Sequence, residues 1–170
     1  MGSLNRVLDY FSRRRATQFA EDAREWHSAC EKVLQLCEQA LNDRDLIQGD
    51  IGVVLDEADR TLFHLRGVMG GVRRMLRRDH PPLSRRVAQA SERIFRLRNM
   101  TSRFLILSQG PGPMVAGDDL ISQSTRETYY LRALEKHGFE ARRIHAQAKQ
   151  ELPAIWADIE PLLARVNGSD

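Results

Sequence analysis

At 170 residues the chain is long enough to bury one substantial core and short for two full-sized domains, so one domain over residues 1–170 is expected. A composition of 42% hydrophobic and 29% charged residues excludes a disordered chain. The longest strongly apolar run near the middle, Phe104 to Leu107, excludes a spanning segment of about 20 residues.

The first periodic stretch has Phe19, Ala23, Trp26, Cys30, Val33, Cys37 and Ala40 at alternating steps of four and three, which predicts a helix with one buried seam. Ahead of it Leu4, Leu8 and Phe11 keep the spacing in a shifted phase, which leaves room for a bend or a separate short helix over residues 1–16. Residues 42–49 read as a turn. A second helix follows on Ile51, Leu55, Ala58, Leu62, Leu65, Met69, Val72 and Leu76, and ends before His80-Pro81-Pro82. A third carries Leu83, Val87, Ala90, Ile94, Leu97, Thr101 and Phe104 and stops at the Gly/Pro-rich segment 109–117, after which Asp118 or Asp119 can cap the next helix. The last stretch places Leu131, Leu134, Gly138, Ala141, Ala148, Leu152, Ile155, Ile159 and Leu162 in a long helical pattern, with breaks expected at Gly138 and Pro153. Strand-like alternation between hairpin turns is missing. The expected fold is an all-α, antiparallel up-down-up-down four-helix bundle with a long, interrupted last helix.

Of the 26 basic residues 23 are arginine, and they are unevenly distributed. Residues 60–103 hold twelve arginines against Asp79 and Glu92, while the remainder of the chain is net acidic, so the net charge of +3 hides a division. In an up-down bundle the turn at 80–82 and the beginning of the chain share one end. Arg13, Arg14 and Arg15 then approach Arg73, Arg74, Arg77, Arg78, Arg85 and Arg86, and these nine form the candidate binding set. The opposite end collects Asp43, Asp45, Asp50, Asp56, Glu57, Asp59, Asp118 and Asp119. Arg85 and Arg86 stand in the first turn of a helix, where a cation opposes the helix dipole by about 0.3–1 kcal/mol, a cost that an external anion would relieve. Arginine supplies bidentate contacts to phosphate, which points to a nucleic-acid backbone, RNA or DNA. A competing reading neutralises the arginines within the bundle. Antiparallel counting sets Glu21, Asp22 and Glu25 level with Arg66 to Arg74, and Glu127, Glu135 and Glu140 near Arg98, Arg93 and Arg86.

Other chemistry is sparse. Cys30 and Cys37, seven residues apart on one helix face at about 10 Å, are beyond disulfide reach and fit a reducing cytosol. His27, Cys30, Glu31 and Cys37 share a face that could ligate a metal, but the cysteines occupy seam positions and no second cluster accompanies them, so neither metal nor cofactor is expected. The spacings of Arg73 and Arg74 with His80, and of Arg132 with His137, resemble the ribonuclease motif of HEPN helical domains. Gly67, Gly70 and Gly71 interrupt a helix where each costs about 1 kcal/mol relative to alanine, and close helix approach or a kink would account for them. The leading expectation is a non-enzymatic, cytoplasmic helical subunit that binds nucleic-acid backbone within a larger complex. The alternative is a protein–protein adaptor whose bipolar charge serves docking, including head-to-tail stacking of its own copies. A HEPN-like ribonuclease is the third.

Overall fold

The computed structural model describes the backbone of residues 2–42, 51–110 and 123–167, and side chains within 14–42, 52–110 and 125–164. It consists of helices α1 (Gly2–Asn42), α2 (Ile51–Asp79), α3 (Pro81–Ser108), α4 (Gln123–Ala133) and α5 (Phe139–Asn167), with a π-helical turn, Leu134–Gly138, joining the last two into one helical run. No strand occurs among the described residues. α1 packs along α2 and α5, α3 packs along the same two, and α1 and α3 meet across the middle. This is the expected four-helix bundle. No helix among the described residues is long and apolar enough to cross a membrane.

The predicted seams are the buried ones. Phe19, Ala23, Trp26, Cys30, Val33, Cys37 and Ala40 of α1 all face inward, as do Leu83, Val87, Ala90, Ile94, Leu97, Thr101 and Phe104 of α3. They join Leu62, Leu65, Val72 and Leu76 of α2 and Ala148, Leu152, Ile155 and Ile159 of α5 in one continuous core. Trp26 is fully enclosed, and its indole N–H donates to Ser91 Oγ at 2.9 Å. The serine hydroxyl in turn donates to the Val87 carbonyl, so the one polar atom of this large side chain is satisfied inside the core.

Three expectations change. α1 runs unbroken from Gly2, because no glycine or proline interrupts residues 3–42, so residues 1–16 supply no separate short helix. α5 likewise continues through Pro153 and Pro161. An internal proline costs about 3 kcal/mol. Leu152, Ile155 and Ile159, buried around Pro153, each contribute about 1.5–3 kcal/mol and hold the run together. At Gly138 the interruption takes the form of the π-turn. It inserts one residue, so the core side passes from Ala133 to Gly138 in five steps and leaves Leu131 exposed. A Cβ on Gly138 would stand 3.1 Å from the ring of buried Phe104, which explains the glycine. The expected turn at 42–49, most of the 109–117 connector and the Asp118 or Asp119 cap lie outside the described residues.

Candidate functional site

The α2–α3 hairpin is as tight as a helical pair can be made. His80 alone separates the helices, with its N–H bonded to the Leu76 carbonyl at 2.7 Å and its carbonyl accepting from Ser84 N–H at 3.0 Å. Pro81 and Pro82 fill the first positions of α3, where no N–H is required by the helix. Ser84 Oγ donates back to the Arg73 carbonyl at 3.2 Å and fastens the two helices one turn from the end.

This geometry places the arginines. Arg73, Arg74, Arg77 and Arg78 occupy the last two turns of α2; Arg85 and Arg86 stand in the second turn of α3 instead of the expected first, because the helix already begins at Pro81; and all but half-buried Arg86 are exposed. Glu57 meets Lys32 at 2.6 Å, Glu25 meets His64 at 3.2 Å, and Asp22 lies against Gly71, which sets the register of α1 on α2. Continuing from Asp22 to the exposed Arg14 and Arg15 reaches the level of Arg78 and Asp79, so these two arrive at the same end. Arg13 belongs to the α1 backbone, with its side chain outside the described residues.

Ion pairing divides the arginines into two groups. Along the middle of the bundle Arg93 pairs with Glu151, Arg98 with Asp59, and Arg96 with Glu140 at 2.8 Å. Arg66 lies over the Phe95 ring at 4.9 Å, and Arg142 donates to the Leu41 carbonyl at 3.1 Å. Toward the hairpin Arg86 pairs with Asp158. Among the described residues no ion pair involves Arg14, Arg15, Arg73, Arg74, Arg77, Arg78 or Arg85. The neutralising partners differ from those counted in the sequence. Glu140 serves Arg96 and Arg143, while Arg86, Arg93 and Arg98 take Asp158, Glu151 and Asp59. Glu25 is level with α2 as expected but holds His64, and Asp22 accepts from Gln18 at 2.8 Å. Of the acidic set, Asp43, Asp45, Asp50, Asp118 and Asp119 lie outside the described residues.

The thiols are core groups. Burial pushes the Cys30 thiol up, and Cys37, beside Thr101 and Arg98, is pushed up to about 11. Both stay protonated at neutral pH. Among the described residues no three His, Cys, Asp or Glu side chains stand where they could hold a metal ion. His80 is exposed at the arginine-rich end. His137 lies at the far end of α3, where burial first and then the charges of Arg103 and Lys136 hold its pKa below the usual range. The two histidines of the HEPN-like spacings therefore sit at opposite ends of the bundle.

An open groove of about 760 Å³ between α1 and α2 is lined by Arg24, Glu25, Lys32, Glu57, Arg60 and His64, whose opposite charges largely pair with one another. A smaller one of about 400 Å³ runs between Arg103, Ile106 and Leu107 of α3 and Tyr129, Lys136 and His137. Gly110 closes its edge at φ +74°, with the Tyr129 ring where a Cβ would be.

The outward face of α2 carries a feature that lies off every predicted seam. Phe63 is 81% exposed there, and a Cβ on Gly67 or Gly70 would meet nothing within 4 Å. The signal was available, since Phe63 falls off the 58, 62, 65, 69 seam. Comparison with protein-family models, with curated proteins and with solved structures gave no match.

Proposed function

We propose that the protein is a non-enzymatic helical subunit that binds the sugar-phosphate backbone of nucleic acid through the arginine-rich end of its bundle, within a larger complex. The observation that carries this reading is the contrast in partners. The mid-bundle arginines Arg93, Arg96 and Arg98 each have a carboxylate, whereas seven exposed arginines at the hairpin end have no ion-pair partner among the described residues. Like charges gathered in this way repel one another, and phosphates relieve the repulsion while releasing their own counterions. The α3 N-terminus adds the positive end of a helix dipole at the same place, with prolines in its first two positions and no side-chain cap. Recognition in this reading rests on backbone charge and shape.

The test is binding of generic RNA and DNA oligonucleotides over a salt series, comparing the unaltered chain with a variant carrying R73E, R74E, R77E and R78E. Affinity is expected to fall steeply with salt, with a log–log slope of about −3 to −5 for four to six phosphate contacts, and to drop at least about 100-fold in the variant. Absence of binding at low salt, or binding indifferent to the four reversals, overturns the reading. Salt-sensitive self-association without nucleic-acid binding would assign the charge to assembly instead.

A further inference from the structure

The outward side of α2 continues from the arginine-rich end toward the middle of the molecule. Residues 60, 63, 67, 70, 74 and 78 recur at steps of four and three and so lie along one line, and all six are exposed. In order the line presents Arg60, Phe63, Gly67, Gly70, Arg74 and Arg78. At its far end Arg60 Nε donates to the Asp56 carbonyl at 3.4 Å.

The aromatic and the glycines are unusual in that setting. Leu62 and Leu65 take the core positions beside Phe63, so the ring is not the edge of the core; it stands free in solvent. Gly71 accommodates Asp22, but Gly67 and Gly70 accommodate nothing among the described residues. Their effect is to bare the helix backbone over one turn, between an exposed aromatic ring and two arginines that have no ion-pair partner among the described residues. At 1.5 Å per residue Phe63 lies about 6 Å from Gly67 and about 16 Å from Arg74, a span of some three nucleotides.

We propose that this line is the track of a single-stranded nucleic acid, with a base stacked on Phe63, the strand passing over Gly67 and Gly70, and its phosphates held by Arg74, Arg78 and the rest of the arginine-rich end. The inference rests on the backbone-binding reading above and names its substrate class. A free ring on a cationic surface has little to engage on a duplex, whose bases are already stacked, whereas each nucleotide of a single strand offers a face. A protein partner fits less well. The centre of a protein interface is apolar and depleted of charge. Phe63 instead has arginines along its line, and the next exposed apolar side chains of α2, Val53 and Met75, lie ten and twelve residues away.

Fluorescence anisotropy with fluorescein-labelled dodecauridylate and with a blunt 12-base-pair RNA duplex tests this in three chains: unaltered, F63A, and the four-reversal variant. The single strand is expected to bind at least about tenfold more tightly than the duplex. F63A should weaken the single strand by roughly five- to 100-fold, leave the duplex unchanged, and melt like the unaltered chain, while F63W restores binding. Equal affinity for the two ligands overturns the inference, as does an F63A variant that binds dodecauridylate normally, including one that has lost self-association instead. The reading of the arginine-rich end fails separately, if the four reversals leave both ligands bound.

Discussion

The middle of the bundle and its hairpin end carry the same residue type in two different states. At Arg93, Arg96 and Arg98 arginine is part of the architecture, each guanidinium joining two helices through a carboxylate on the neighbour. At Arg73, Arg74, Arg77, Arg78 and Arg85 it joins nothing among the described residues. Local sequence differs little between these stretches. What differs is the partner opposite: α5 supplies Asp158, Glu151 and Glu140 to Arg86, Arg93 and Arg96, and no ion pair among the described residues reaches the other arginines of the hairpin. Arginine abundance is therefore uninformative by itself, and its partners decide whether it holds the fold or faces outward.

The largest effect expected from breaking this contrast is on binding. Removing charge from the end, as in the four-reversal variant, should cost at least about 100-fold in affinity at low salt and leave thermal stability nearly unchanged, since exposed cations without partners contribute little to folding. Arg98→Met in the middle should do the opposite. Arg98 is largely enclosed, and losing it leaves Asp59 without its partner, so a loss of about 1–2 kcal/mol in denaturant unfolding is expected, with oligonucleotide affinity changed less than twofold. If both substitutions moved affinity equally, the division between structural and outward-facing arginine would collapse.

The glycines sharpen the same comparison at smaller magnitude. Gly138→Ala forces a methyl against buried Phe104, and the overpacking outweighs the gain in helix propensity, for a net loss of about 1–2 kcal/mol. Gly67→Ala and Gly70→Ala meet open space and should each stabilise by up to about 1 kcal/mol, read from urea midpoints. A chain that is more stable and binds single strands less well would show that these glycines are kept for what passes over them.

Much of the fold was legible because burial follows helical period. The α1 and α3 seams, and the break between Asp79 and Pro81, follow from residues three and four apart and from a proline pair, all local signals. The π-turn was not. It changes the phase by one residue, exposing Leu131 and burying Ala133, and it is set by how Gly138 fits against Phe104 on another helix. The α3–α5 register was also beyond reach, since it is set by how α5 packs on α3 and by the extra residue of the π-turn ahead of α5. The arginine cluster could be found from charge and topology. Its lack of ion-pair partners among the described residues could not, because that depends on the register.

Acid should act on the middle of the molecule first. His27 is half-buried, stacked on Trp156 at a ring separation of 4.4 Å and 3.6 Å from Glu31, and burial outweighs the carboxylate to hold its pKa below the usual value. The unfolded chain therefore binds a proton at His27 before the folded one does. Stability from this group is complete above about pH 6.5 and is lost as the pH falls toward the lowered folded value. Glu57, held low by the hydrogen bond from Lys32, and Glu140, held low by that from Arg143, act in a separate window, since their contributions vanish only below the ordinary carboxylate range near 4.5. Thermal melts from pH 7.5 to 5.5 should show the midpoint falling by no more than about 2–4 °C from His27, because the Glu31 carboxylate offsets part of the effect of burial. His27→Gln should flatten this decline and leave the steeper one below pH 4.5 intact. An unchanged decline in that variant would move the acid-sensitive group elsewhere, with His137, also lowered, the next to replace.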